Sequence, residues 1–197
     1  MKEYYDRRAP EYDDWYLGRG GFAGRERNGW DEELDELVAA IASLPPARTL
    51  DVACGTAFLT RHLRGEVVGL DQSDRMLDEA RLAAPHATFV RGDALALPFP
   101  EASFDRVFTG HFYGHLEPED REVFLAEAQR VAGELVVVDA SQARHPVDEE
   151  WQDRVLDDGS TWQVFKRWFT PATLSAELGG GEAVFDGAYF VSVRRVW

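Results

Sequence analysis

Three acidic residues recur in the first half of the chain, each set against a short apolar run. Asp51 lies in Thr49-Leu50-Asp51-Val52-Ala53, Asp71 closes Val67-Val68-Gly69-Leu70-Asp71, and Asp93 follows Phe89-Val90-Arg91-Gly92. Asp71 stands 20 residues after Asp51. A carboxylate at the end of a second strand is placed to accept two hydrogen bonds from a ribose diol. Asp93 suits an adenine amino group, and the N–H of Ala94 suits a ring nitrogen. Gly55 lets the backbone come close to a ligand because no Cβ intervenes. Asp51 discriminates: a carboxylate there repels a pyrophosphate but favours the ammonium and sulfonium end of a methionine moiety. Each acid alone reads equally well as turn chemistry. Three in order on one rim point to a ligand.

A dinucleotide site is the nearest rival. It asks for G-x-G-x-x-G, whereas Ala53-Cys54-Gly55-Thr56-Ala57-Phe58 keeps one glycine of the three. A phosphate-cradling loop is absent as well, so the expected ligand is a nucleoside without phosphates.

Positioning three acids on one rim takes alternating strands and helices. Leu34, Leu37, Val38 and Ile41 recur at helical spacing, giving a helix from Asp31 that stops at Pro45-Pro46. Strands are then expected at Thr49–Ala53, Glu66–Asp71, Ala87–Val90, Phe104–Thr109 and Glu134–Asp139. Helices are expected at Ala57–Arg64, at Asp74–Ala84 with Ser73 as N-cap, and at Pro118–Ala132. After a short helix from Thr170-Pro171 to Leu178, Asp186-Gly187 marks a hairpin between Ala183–Phe185 and Tyr189–Val196. The expectation is a doubly wound α/β fold: a mostly parallel seven-stranded sheet with an antiparallel C-terminal hairpin. Residues 1–30, rich in aromatics and glycine, read as a cover segment, and 31–197 as a single binding domain.

Composition narrows the partners. The 197 residues are enough for one domain, and no apolar run is long enough to span a membrane. Met1-Lys2-Glu3-Tyr4-Tyr5-Asp6 lacks the apolar stretch of a signal peptide, and the single cysteine, Cys54, excludes an intrachain disulfide. Both fit a cytoplasmic protein. A net charge of −15 repels nucleic acid, and the basic stretches Arg25-Glu26-Arg27 and Lys166-Arg167 are short. Cationic or neutral small molecules fit that charge better. No metal site is expected.

The ordered motifs carry a resemblance. Thr49-Leu50-Asp51-Val52-Ala53-Cys54-Gly55-Thr56-Ala57 looks like the first motif of class I S-adenosylmethionine-dependent methyltransferases, and Val68-Gly69-Leu70-Asp71-Gln72-Ser73-Asp74-Arg75-Met76-Leu77 resembles the second. Gly92-Asp93-Ala94-Leu95-Ala96-Leu97-Pro98-Phe99-Pro100, with Ser103-Phe104-Asp105, is similar to the third and fourth motifs of the subgroup that includes ubiquinone and menaquinone biosynthesis methyltransferases. Tyr5-Asp6, Ala9 and Tyr12-Asp13 look like that subgroup's N-terminal segment. Ala53 and Ala57 depart from it, standing where glycines are usual; the loop before the fifth strand is shortened to Ala132-Gly133, and beyond Asp139 the match fades.

The resemblance implies a Rossmann-like fold and transfer of the methyl group of S-adenosylmethionine to a small-molecule acceptor by in-line displacement, leaving S-adenosylhomocysteine. It implies cofactor contacts from Tyr12, Asp51, Ala53, Cys54, Gly55, Asp71, Gln72, Met76, Gly92, Asp93, Ala94 and Thr109. The alternatives are a non-methylating S-adenosylmethionine-binding protein and, further off, a nicotinamide-dependent oxidoreductase. The loop after the fourth strand, Thr109 to Leu116, should stand over the transferred methyl. His111 and His115 are candidate bases there, and Tyr113 a candidate pocket wall. Tyr5, Tyr12 and Trp15 are candidates for the closing cover. Trp151, Trp162, Phe165, Trp168 and Phe169 are either a patch packed on the sheet edge or the wall of an apolar acceptor pocket. Cys54 reads as a small buried filler rather than a nucleophile. The acceptor, the methylated element and the oligomeric state stay open.

Overall fold

The computed structural model describes residues 1–197. The chain opens with helices α1 (Lys2–Arg8) and α2 (Asp14–Leu17), separated by a 3-10 turn at Ala9–Glu11 and followed by another at Gly20–Phe22. Helix α3 (Trp30–Ser43) leads into β1 (Ala47–Val52), β2 (Gly65–Asp71), α4 (Asp74–Ala83), β3 (Thr88–Arg91) and β4 (Phe104–Gly110). Then come α5 (Pro118–Val131), β5 (Ala132–Ala140), β6 (Glu149–Val155), β7 (Thr161–Arg167), α6 (Pro171–Glu177), β8 (Glu182–Asp186) and β9 (Phe190–Val196).

Seven strands form one sheet in the order β3-β2-β1-β4-β5-β9-β8. The first five run parallel; β9 is antiparallel to β5 and to β8. Strand order reverses beside β1, where β2 and β4 flank it and leave a crevice at the carboxyl ends. Alternation along β4 and β5 splits the core. Val107, Leu135 and Val137 pack with Phe124 of α5 and Leu174 of α6, while Phe108, Val136 and Val138 pack with Leu37 and Ile41 of α3. A strand buried on both faces has to be apolar at consecutive positions, which explains Leu135 to Val138.

One expectation needs correction, and one stretch gains elements for which none was expected. Ala57–Arg64 is not a helix: only a 3-10 turn at Thr60–His62 forms. Ala53, Gly55 and Ala57 all take positive φ (58°, 54° and 63°), so the chain winds the wrong way to start a helix, and β2 begins at Gly65. The aromatic stretch before α6 is a hairpin, β6 paired antiparallel with β7 in a sheet of its own. Tyr4 of α1 packs with Leu156 and Val164 of the hairpin in a small separate cluster. No helix is long and apolar enough to cross a membrane.

Candidate functional site

The loops after β1 and β2 meet on one side chain. Asp71 Oδ2 accepts from the Gly55 N–H at 3.0 Å, and Oδ1 accepts from the Ser73 N–H at 2.9 Å. Each carboxylate oxygen keeps a lone pair for a ligand. Burial raises the Asp71 carboxyl above its ordinary value, although the Ser73 and Gly55 amides pull the other way. Ser73 caps α4 by accepting from the Met76 N–H, and this fixes where the second loop ends.

Around Asp71 opens a cavity of about 250 Å³. Ala53, Gly55, Gln72, Met76, Gly92, Asp93 and Ala94 line it, all of them expected from the sequence. Asp93 is exposed, with Oδ1 accepting from the Leu95 N–H at 2.9 Å. Tyr5 and Tyr12 close one side, while Phe112, Trp151 and Phe165 help close another. The last two come from the hairpin, so part of the aromatic stretch does serve as a wall.

Four expected residues lie elsewhere. Asp51 is 2% exposed and sits beneath the floor, since it is an interior residue of β1, in register with Gly69 and Phe108. Cys54 shares a small adjoining pocket with Asp51, and burial pushes its thiol up. Thr109 is buried within β4, its hydroxyl donating to the Val52 carbonyl at 2.7 Å. Tyr113 points into the core against Phe124 and Phe169, and Phe112 takes the cavity position instead. The rim therefore carries two acids with a third below it.

That third acid bears on the cofactor. Asp51 Oδ2 accepts from the Thr60 hydroxyl at 2.6 Å, but Oδ1 is buried with no partner. Desolvation pushes Asp51 up to about 7; the Thr60 bond opposes this and the Asp71 charge adds to it. An orphaned carboxylate oxygen beside a cavity carrying Asp71 and Asp93 fits a nucleoside with a cationic tail.

Residues 1–30 lie over the first loop. Asp13 accepts from the Thr56 hydroxyl at 2.5 Å, and Asp6 accepts from the Ser73 hydroxyl at 2.6 Å. The Tyr16 ring stacks on Phe58 at 3.8 Å, and Tyr12 covers Gly55 so closely that a Cβ there would lie 3.4 Å from the ring. In sequence Asp6 and Asp13 stand only as members of a motif; a tether role has no signal beyond their position after Tyr5 and Tyr12.

A second cavity, of about 420 Å³, adjoins the first and shares Tyr5, Tyr12, His111 and His115 with it. His111 sits edge-on to Trp15 at 4.8 Å, and its Nε2 is buried without a partner. Its backbone φ of +55° is held by its N–H donating to the Val138 carbonyl at 2.8 Å. His115 Nδ1 lies 2.6 Å from the Phe165 carbonyl, which requires the proton on Nδ1. Burial pushes His111 down to about 4 and His115 down to about 3. Both rings are therefore neutral at pH 7 and weak as bases. Behind them Asp139 pairs with Lys166 at 2.6 Å and accepts from the Gly114 and Ala140 N–H groups. Burial opposes ionisation of Asp139, but Lys166 beside it holds the carboxyl below its ordinary value.

Fold and site together define a doubly wound nucleoside-binding protein. Residues 50–137 match the family model described as a methyltransferase domain. Demethylmenaquinone methyltransferase of Thermotoga maritima is 33% identical over 143 residues, spanning 68% of this chain and 59% of that one. The 2-phytyl-1,4-naphtoquinone methyltransferase of Synechococcus elongatus is 33% identical over 162 residues, spanning 75% and 65%. The chain thus spans about half to two-thirds of the length of these curated relatives. Among solved structures, DhpI in its SAH complex superposes with a TM-score of 0.71 at 26% identity, covering 98% of this chain and 94% of that one. The chain belongs to the class I S-adenosylmethionine-dependent methyltransferases and is similar to their quinone-methylating members.

Proposed function

We propose that the protein transfers the methyl group of S-adenosylmethionine to a small-molecule acceptor. The observation that carries this reading is the pair of cavities meeting at Tyr5, Tyr12, His111 and His115, with Asp71 and Asp93 lining only the first. When bound, the cofactor supplies an electrophilic methyl on a cationic sulfur, and S-adenosylhomocysteine is left behind. Asp71 would hold the ribose, Asp93 and Ala94 the adenine, and Asp51 the methionine ammonium; Met76 and Gly92 would flank the base.

The four shared side chains would receive the acceptor and exclude water from the junction. Well-oriented reactants are favoured by about 7–11 kcal/mol, so positioning can supply most of the acceleration. His111 and His115 serve here as neutral walls that orient the acceptor, not as strong bases. Residues 1–30 act as the cover of the single domain formed by 31–197. The reaction is placed in the cytoplasm, with no nucleic-acid partner, in keeping with the single cysteine and the charge of −15.

Calorimetry with S-adenosylhomocysteine tests the reading, alongside detection of that product with a panel of acceptors. Asp71→Ala should weaken S-adenosylhomocysteine binding about 100-fold, since two charge-assisted hydrogen bonds are lost. Tighter binding of a nicotinamide dinucleotide would favour a dehydrogenase instead.

A further inference from the structure

The second cavity is lined by Arg8, Arg25, Arg27, Arg144, Arg154 and Lys166, against a single carboxylate, Glu26. In a chain of 36 acidic and 21 basic residues, this inverts the overall balance. Lys166 is neutralised by Asp139. None of the five arginines has a carboxylate within 4 Å, although Arg7, Arg121, Arg167 and Arg194 elsewhere are all paired.

Arg8 and Arg154 are the two that matter most. Arg8 lies at the end of α1, 5.1 Å over the Tyr12 ring, and donates to the Tyr4 hydroxyl. Arg154 on β6 donates only to the side-chain oxygen of Gln152, at 2.6 and 3.1 Å. Glu11, three residues after Arg8, is engaged elsewhere, accepting from the Asp157 N–H at 2.9 Å. Both guanidinium groups are half-buried among tyrosines and keep unused donors. Burial lowers Arg154 from the ordinary arginine value, and the charge of Arg8 lowers it further. Glu11, Asp14 and Asp157 line a smaller adjoining cavity with both arginines, but none pairs with either, and two like charges drawn together without a paired counter-charge are costly unless a ligand supplies one. His111, whose Nε2 is buried without a partner, lines the same cavity beside Tyr5 and Tyr12.

We infer that the methyl acceptor carries an oxyanion, a carboxylate or a phosphate-type group, gripped by Arg8 and Arg154. The inference rests on the methyl-transfer reading above and names its substrate class. It also reverses the expectation from net charge, because the cavity wall and not the total decides what enters. A neutral naphthoquinol offers two guanidinium groups hydroxyl oxygens but no charge to offset theirs.

The test begins with the full chain titrated with S-adenosylhomocysteine. If none binds, the methyl-transfer reading fails, and this inference with it. The saturated protein is then titrated with benzoate, inorganic phosphate, benzamide and 1,4-naphthoquinol. At least one anion should bind ten times more tightly than either neutral probe. Preference for benzoate assigns a carboxylate, and preference for phosphate assigns the phosphate-type group. Arg154→Met should weaken the preferred anion about 10–100-fold, Arg154→Lys should restore part of the loss, and S-adenosylhomocysteine affinity should stay within about twofold. Arginine-selective modification of the unmutated chain, read by peptide mass, needs no variant: the bound anion should protect Arg8 and Arg154 but not the exposed Arg75. With S-adenosylhomocysteine bound, neutral probes matching the anions, or equal protection of all three arginines, would overturn the inference alone.

Discussion

The floor and the roof of the site are built on different principles. The floor consists of strand ends whose acids are fixed by backbone: Asp71 accepts from two amides, and Asp51 is buried in β1. The roof is residues 1–30 and the β6–β7 hairpin, held to each other and to the floor largely by side chains. Arg7 bonds Asp158 at 3.1 Å, Glu11 holds the Asp157 amide, and α1 and α2 are only seven and four residues long. Asp71 and Asp93 face the first cavity with Asp51 beneath it, and roof cations face the second. A floor of shared sheet geometry can hold a common cofactor, whereas a roof of short appended elements can vary its lining without disturbing the sheet. Chemistry and selectivity are thereby separable, and so should be their stabilities.

The strongest way to strain that separation is at the one buried ion pair joining the two parts. Lys166 belongs to the hairpin, and Asp139 ends β5. Lys166→Met leaves a fully buried carboxylate without its cation and should cost about 3–5 kcal/mol in denaturant unfolding. In the parent chain Asp139 is held below its ordinary value, so its contribution is present above pH 3.8 and lost as pH falls through the lower folded value. In the variant burial outweighs the Gly114 and Ala140 hydrogen bonds that remain, and the sign reverses: stability should improve on acidification towards pH 4–5. A loss under about 1 kcal/mol would mean that the roof is not fastened there.

Within the floor, Asp51 should oppose stability to function. Its carboxyl titrates near 7 folded against 3.8 unfolded, so the native state binds the extra proton and stability falls as pH rises from about 4 to 7. Asp51→Asn removes that penalty and should make the unliganded protein more stable at pH 8 by on the order of 2 kcal/mol, a rise of roughly 4–8 °C in Tm. The same variant should bind S-adenosylhomocysteine at least about tenfold more weakly. In the parent chain that affinity should rise from pH 6 to pH 8, since the ammonium group of the ligand favours the ionised acid. An equally stable variant with unchanged affinity would show that the orphaned oxygen serves no ligand.

The contrast also explains what could be read from residues alone. Strands that alternate with helices, the Ser73 cap, the C-terminal hairpin and the Asp71 site all follow from local pattern, and all belong to the sheet. The failures have physical causes. Ala57–Arg64 has helical composition, but left-handed Ala53 and Gly55 before it, left-handed Ala57 at its start and the Thr60 bond to Asp51 leave no room for a first helical turn. Tyr113 falls on the inward side of the 3-10 turn Tyr113–His115, a rotation that spacing does not reveal. The roof hairpin did carry one signal, Asp158-Gly159 with Gly159 at φ +80°, but β6 is too exposed to show apolar alternation. Its cations are scattered from Arg8 to Lys166, and only the fold brings them together.

The mildest test asks whether the cover moves by itself. Asp13 bonds the Thr56 hydroxyl at 2.5 Å, and burial raises its carboxyl, so the bond forms at some desolvation cost. Asp13→Ala should therefore lower global stability by only about 1 kcal/mol, or roughly 2–4 °C in Tm. If residues 1–13 open as a unit, their amides should exchange about fivefold faster, while those of β4 and β5 keep their rates. Tyr16 stacked on Phe58 and the Trp30 indole donating to the Tyr16 carbonyl at 2.8 Å should hold the far end of α2 in place, so the largest change belongs near Ala9–Asp13. Uniform acceleration across sheet and cover would instead mean that floor and roof unfold together, and the selectivity of the roof could not be altered without weakening the floor.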